Sequence, residues 1–129
     1  MSSRQSLIEE TLRTFKAERE RPSDAPCSVR RATAYIHDWL FDADLTVTRV
    51  RRALDISDAA FSARFRHHHG HTPARYIRRL RVRAAKRLFR HEDLRVADIA
   101  FHVGYEHYRI FKRVTGRSPS EFREEAGGE

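Results

Sequence analysis

Between Arg75 and Arg90 the chain places eight cations, Arg75, Arg78, Arg79, Arg81, Arg83, Lys86, Arg87 and Arg90, with no acid among them. Such a segment forgoes the i,i+4 ion pairs that ordinarily relieve repulsion on a helix, which points to an anionic partner. Arginine suits that role because its planar fork matches phosphate oxygens and the guanine edge. The excess is regional: residues 1–29 hold five basic and five acidic side chains, so the net charge of +8 lies wholly in residues 30–129. Other chemistries have thinner support. His67, His68, His69 and His71 invite a metal. Consecutive histidines, however, fan out around a helix, and Gly70 breaks the one i,i+4 pair. They are expected to sit at a helix C-terminus, where partial positive charge is favoured. Cys27 is alone, which excludes a disulfide framework and provides no nucleophile with a matched base. Asp42 with Asp44 and Glu92 with Asp93 read as loop or helix-start acids, and no glycine-rich phosphate loop occurs. No catalytic residue, metal or cofactor is expected.

The elements that must carry these residues are helical. Neither sustained alternation nor a hairpin dipeptide marks a strand. Residues 5–20 read as a short amphipathic helix with Leu7, Ile8, Leu12 and Phe15 on one side, an arm either loose or folded back on its own chain. The stretch 21–26 is a linker. From Arg30 to Phe41, Ala32, Tyr35, Ile36, Trp39 and Leu40 form an apolar stripe expected to be buried. An internal repeat follows. Val47, Val50, Leu54 and Ile56 recur 49 positions later as Val96, Ile99, Val103 and Tyr105. Phe65, Gly70, Thr72-Pro73 and Tyr76 recur 46 positions later as Phe111, Gly116, Ser118-Pro119 and Phe122. Each copy reads as helix, tight turn, helix, then a glycine stop and a hydroxyl-proline start. Residues 72–91 form one long helix between the copies, with Tyr76, Leu80, Ala84 and Leu88 as its apolar stripe and the cations covering the rest.

A helix, a short turn and a second helix form a unit that can present its second helix to the DNA major groove. In the first copy the helices are expected at Thr46–Leu54 and Ser57–His69. Phe61 and Phe65 face the core. Ser57, Asp58, Ala59, Ser62, Ala63 and Arg66 face outward, with Arg64 nearer the flank and both arginines meeting phosphate. Arg79 and Arg83 on the linker helix and Lys112 and Arg113 in the second copy complete the basic contacts.

The segments GHTPARYIRRLRVRAAKRLF, VADIAFHVGY and FKRVTGRSPSEFR, in this order and separation, resemble the DNA-binding domain of the AraC/XylS family of bacterial transcription regulators. The resemblance covers Arg30 to Arg123, about three quarters of the chain. It implies an all-α fold of two homeodomain-like, three-helical helix-turn-helix lobes (about 30–70 and 94–123) joined by a rigid linker helix (72–91). Residues 1–29 are then an N-terminal arm and 124–129 a tail. It also implies a regulator that acts on double-stranded DNA at promoters, with RNA polymerase as a further candidate partner. No apolar run approaches the length of a membrane span or forms a signal-peptide core, and with the lone Cys27 this predicts a cytoplasmic protein with no membrane association. With 29 residues ahead of the domain there is no room for an effector-binding domain, as in the short members that bind as monomers. Four departures matter. Arg51 stands where relatives have Ala, so it must snorkel or find a partner. Asp55 replaces a turn glycine, a mild change because Asp tolerates the left-handed region. Ala63 stands where many relatives place a base-contacting Arg, which implies weak direct readout by the first lobe. The second unit is about four residues short, which removes about 6 Å of helix and turns the remainder by about 40°. Counted back from Phe111, Arg109 falls at the usual base-contacting Arg; counted forward from Gly104, Glu106 and His107 start the helix. The second lobe is expected to fold with altered or lost base readout. The competing reading is a protein-interaction modulator of RNA polymerase or of a related regulator.

Overall fold

The computed structural model describes residues 3–18, 25–91, 93–105, 111–113, 116–117 and 121. Regular structure among them is entirely helical: α1 Ser3–Ala17, α2 Cys27–Asp38, α3 Val47–Ala53, α4 Phe61–His69, α5 Pro73–Phe89 and α6 Val96–His102, with a further helical turn at 111–113. Among the described residues no helix is long and apolar enough to cross a membrane.

Lobe 1 is built from α2, α3 and α4. Helix α2 packs on both of its partners, and α4 in turn packs on α5. Val29, Ala32 and Ile36 recur at three- and four-residue intervals and are fully buried, which gives α2 its core face, and Leu40 just beyond the helix end is buried with them. The aromatic stripe expected on this helix divides. Trp39 is 46% exposed, because α2 ends at Asp38 and the chain turns there. The indole instead receives the Arg49 guanidinium, 5.0 Å from its centroid, while Arg49 also donates to the Tyr35 hydroxyl at 3.0 Å and to Asp42 at 3.1 Å.

Helix α5 starts at Thr72, whose hydroxyl accepts from the Arg75 N–H at 3.5 Å, with Pro73 in the first turn. Its buried face is Ile77, Leu80, Ala84, Ala85, Leu88 and Phe89. Against this face lie α4 on one side, α6 on another and α1 on a third. The N-terminal helix folds back on its own chain. Ile8, Leu12 and Phe15 are buried, and Phe15 meets Phe41 at 6.3 Å. Lys16 donates to the Asp38 carbonyl at 2.9 Å, and Glu18 pairs with Arg87. Helix α1 thus touches the end of α2 as well as the linker helix.

The internal repeat appears in the backbone itself. At the end of α3, the Asp55 N–H reaches the Arg52 carbonyl at 3.3 Å and the Ile56 N–H reaches that of Arg51 at 2.8 Å. At the end of α6 the equivalents, 49 residues on, are Gly104 to Phe101 at 3.2 Å and Tyr105 to Ala100 at 2.9 Å. Both pairs are the doubly bonded C-terminal stop that requires one left-handed residue. That residue has φ +55° at Asp55 and +110° at Gly104, so the acidic replacement adopts the conformation its repeat partner leaves to glycine. The 46-residue offset is equally literal: the Gly70 N–H bonds the Arg66 carbonyl and the Gly116 N–H bonds that of Lys112, both at 2.7 Å. The two offsets differ by three, so the second copy is three residues shorter than the first between these two stops.

Candidate nucleic-acid interface

Helix α3 begins at Thr46, whose hydroxyl accepts from the Arg49 N–H at 3.1 Å, and ends in the left-handed stop at Asp55. Helix α4 begins at Phe61, four residues later than the sequence suggested. The reason is Asp58. Its carboxylate accepts from the Ala60 N–H at 2.8 Å and its carbonyl from the Phe61 N–H at 3.2 Å, forming a turn ahead of the helix. Ser57, Asp58 and Ala59 are exposed but lie in this turn and not on the helix. Arg51 has found the partner it needed. It donates to the Asp58 carbonyl at 2.8 Å, with its guanidinium 5.4 Å from the Phe61 ring, so it fastens α3 to the start of α4.

Phe61 and Phe65 anchor the inner face of α4, both fully buried. Phe65 meets His69 at 4.4 Å and Tyr76 at 5.3 Å. The His69 ring bonds the Thr33 hydroxyl at 2.8 Å. That hydroxyl already donates to the Val29 carbonyl, so it accepts from His69 Nε2. Burial, and then the neighbouring His68, push the His69 pKa below the usual histidine value. The histidines therefore diverge: His69 turns into the core, His67 is exposed, and His71 sits among arginines. Among the described residues no group of three or more His, Cys, Asp or Glu side chains could hold a metal ion.

The outer face of α4 carries Ala63, Arg66 and His67 exposed and Ser62 half-buried. Ser62, Ala63, Arg66, His67, Gly70 and Thr72 line one open concavity. Arg64 is half-buried and ion-paired with Asp58. Arg75, Arg79 and Arg83 on α5 are exposed. Steps of four residues keep them on one face, about 40° apart. Together with Arg66 they surround His71, whose pKa is lowered by its partial burial first and then by Arg79, Arg75, Arg83 and Arg66. A continuous positive strip thus runs from the outer face of α4 along the linker helix. Arg75 belongs to this strip though sequence reasoning singled out only Arg79 and Arg83; the four-residue spacing was the available signal.

Of the eight linker cations expected on the surface, Arg81 and Arg87 are drawn into the fold. Arg81 is buried, 6% exposed, and donates to the Leu40 carbonyl at 2.8 Å and the Asp42 carbonyl at 2.7 Å. Arg87 pairs with Glu18 and lies over the Phe15 ring. Both are part of the fold. In lobe 2, Phe111 is buried against Phe89 and Tyr105, with Lys112 and Arg113 exposed beside it. His107, Arg109 and the Ser118-Pro119 start lie outside the described residues.

The chain's similarities to known proteins agree with this arrangement. A family model described as a helix-turn-helix domain matches residues 50–125. The chain is 32% identical over 99 residues to the arabinose operon regulatory protein of Escherichia coli K12, covering 74% of this chain and 34% of that protein. It is 33% identical over 93 residues to the HTH-type transcriptional activator RhaS of Enterobacter sp. strain 638, covering 67% and 34%. The chain thus spans about a third of the length of these curated relatives. Among solved structures, the C-terminal domain of AraT, a response regulator from Geobacillus stearothermophilus, superposes with a TM-score of 0.69 at 28% identity, covering 79% of this chain and 88% of that one. The paired left-handed stops, the repeated helix-turn-helix geometry and these similarities have one conclusion: the chain belongs to the AraC-type helix-turn-helix family of transcription regulators.

Proposed function

We propose that the protein is a sequence-specific double-stranded DNA-binding transcription regulator acting at promoters in the cytoplasm, with no catalytic step of its own. The observation that carries this reading is the positive strip. The outer face of α4 and the Arg75–Arg79–Arg83 row are exposed side by side, and their charge suits a helix in the major groove flanked by phosphates.

Ser62 and Ala63 are small enough for close approach to base edges, and the Ser62 hydroxyl can donate or accept there. Arg66, Arg79 and Arg83 meet backbone phosphates. The turn residues Ser57, Asp58 and Ala59 stand at the entry to the groove, where the Arg64 pair offsets the Asp58 charge that would otherwise repel a phosphate. Lys112 and Arg113 give lobe 2 phosphate contacts that do not depend on base readout. Arg109 and His107 are the remaining candidates for base contact. RNA polymerase is the further partner that this reading carries.

Selection of bound sequences from random duplex DNA with the purified protein tests it. Enrichment of a motif is the expected outcome. No enrichment by folded protein, together with DNA-independent capture of RNA polymerase, would overturn it in favour of an interaction modulator.

A further inference from the structure

Two lobes on one helix can be aimed at DNA only if something fixes the angle between them. The buried face of α5 packs on helices of both lobes, and the angle between them depends on any side chain that touches both at once. Arg81 lies at the middle of α5 and touches both sides. Its Nε and Nη2 donate to the carbonyls of Leu40 and Asp42, in the connection between α2 and α3 of lobe 1, at 2.8 and 2.7 Å. The other side of its guanidinium faces lobe 2, with its central carbon 5.3 Å from the Tyr105 ring centroid. Gly104 makes room for it: a Cβ there would come within 2.7 Å of that carbon. Beside it a cleft of about 300 Å³ opens among Thr46, Ile77, Arg81 and Tyr105. The lobes are therefore not sealed by apolar packing at this point.

We infer that Arg81 is the positioning residue that fixes lobe 2 against lobe 1, and through that angle sets the separation of the two DNA contacts. The inference rests on reading the chain as a DNA-binding regulator. The forked guanidinium suits the task for a stated reason. It engages two carbonyls of one lobe in fixed directions while its cationic centre lies over an aromatic ring of the other. A lysine offers one point charge in place of that fork.

The test has two arms. In a Cys27→Ser background, spin labels at Ala53→Cys and Ala97→Cys, both exposed on α3 and α6, report the distance between lobes without DNA. A single narrow distribution is expected, broadened by Arg81→Met while helix content is retained. In the second arm, a hydroxyl-radical footprint on the selected duplex should show two protected segments. In Arg81→Met the lobe 1 segment persists and the other fades or shifts. Affinity then falls at least about tenfold, towards that for a duplex cut down to the lobe 1 segment, because the second contact is no longer held in place. Arg81→Lys, which keeps the charge, gives the same comparison in milder form if the methionine variant does not fold. An unchanged distance distribution, or a two-segment footprint indifferent to both substitutions, overturns the inference, as does a wild-type footprint of one segment. A wild-type protein that binds no duplex overturns the functional reading beneath it, and the label distances separate that outcome from failure of the inference.

Discussion

Gly104 and Asp55 occupy the same place in two copies of one turn, yet they do not tolerate the same substitutions. At Gly104 the backbone is left-handed, φ +110°, and the space where a Cβ would go is occupied by the Arg81 guanidinium. Gly104→Ala should therefore cost about 2–4 kcal/mol, the left-handed penalty together with overpacking, read as a lower urea midpoint. The left-handed turn at Asp55 could be read from the repeat, because the second copy spells the position with glycine. The burial of Arg81 was harder to see in a run of cations. Its signal was register: it lies four residues after Ile77 and four before Ala85, inside the apolar face. A further residue-scale consequence concerns acid. The folded state holds the His69 pKa below its unfolded value of about 6.5, so the unfolded chain takes up a proton first as pH falls. The stability that neutral His69 contributes is complete above about pH 6.5 and is lost below it. Urea midpoints measured from pH 7.5 to 5 should fall, and His69→Phe should flatten that decline.

At the scale of elements, the linker helix divides its cations between fold and surface. Arg81 and Arg87 serve the interior, and Arg75, Arg79 and Arg83 form the exposed row. Composition announces the charge but not this division, which depends on what α1 and the α2–α3 connection bring against α5. The period of α1 was likewise legible, whereas its docking place was not. Only the fold shows Phe15 beneath Arg87 and beside Phe41. The start of α4 slipped because a side-chain carboxylate at Asp58 competes with the helix for backbone donors. If the exposed row meets phosphate, Arg79→Ala should weaken binding about equally on all duplex sequences. It should also reduce the magnitude of the salt slope by about 1. A loss confined to one sequence would instead make Arg79 a base-reading residue.

At the scale of the whole molecule, part of the net charge of +8 carried by residues 30–129 is gathered by α4 and the linker helix into a surface with a direction. The fold class and the repeat were open to reading because both rest on local rules: apolar period, left-handed stops, and a hydroxyl before proline. The interface was only partly legible, since its charges become a strip only when α4 and α5 are laid side by side. The most direct measurement is the affinity for the selected duplex as salt is raised from 50 to 200 mM. Contact with six to ten phosphates predicts a log–log slope of about −5 to −9, as bound counterions are released. A flat response would contradict the account, because the strip would then have no polyanion to meet.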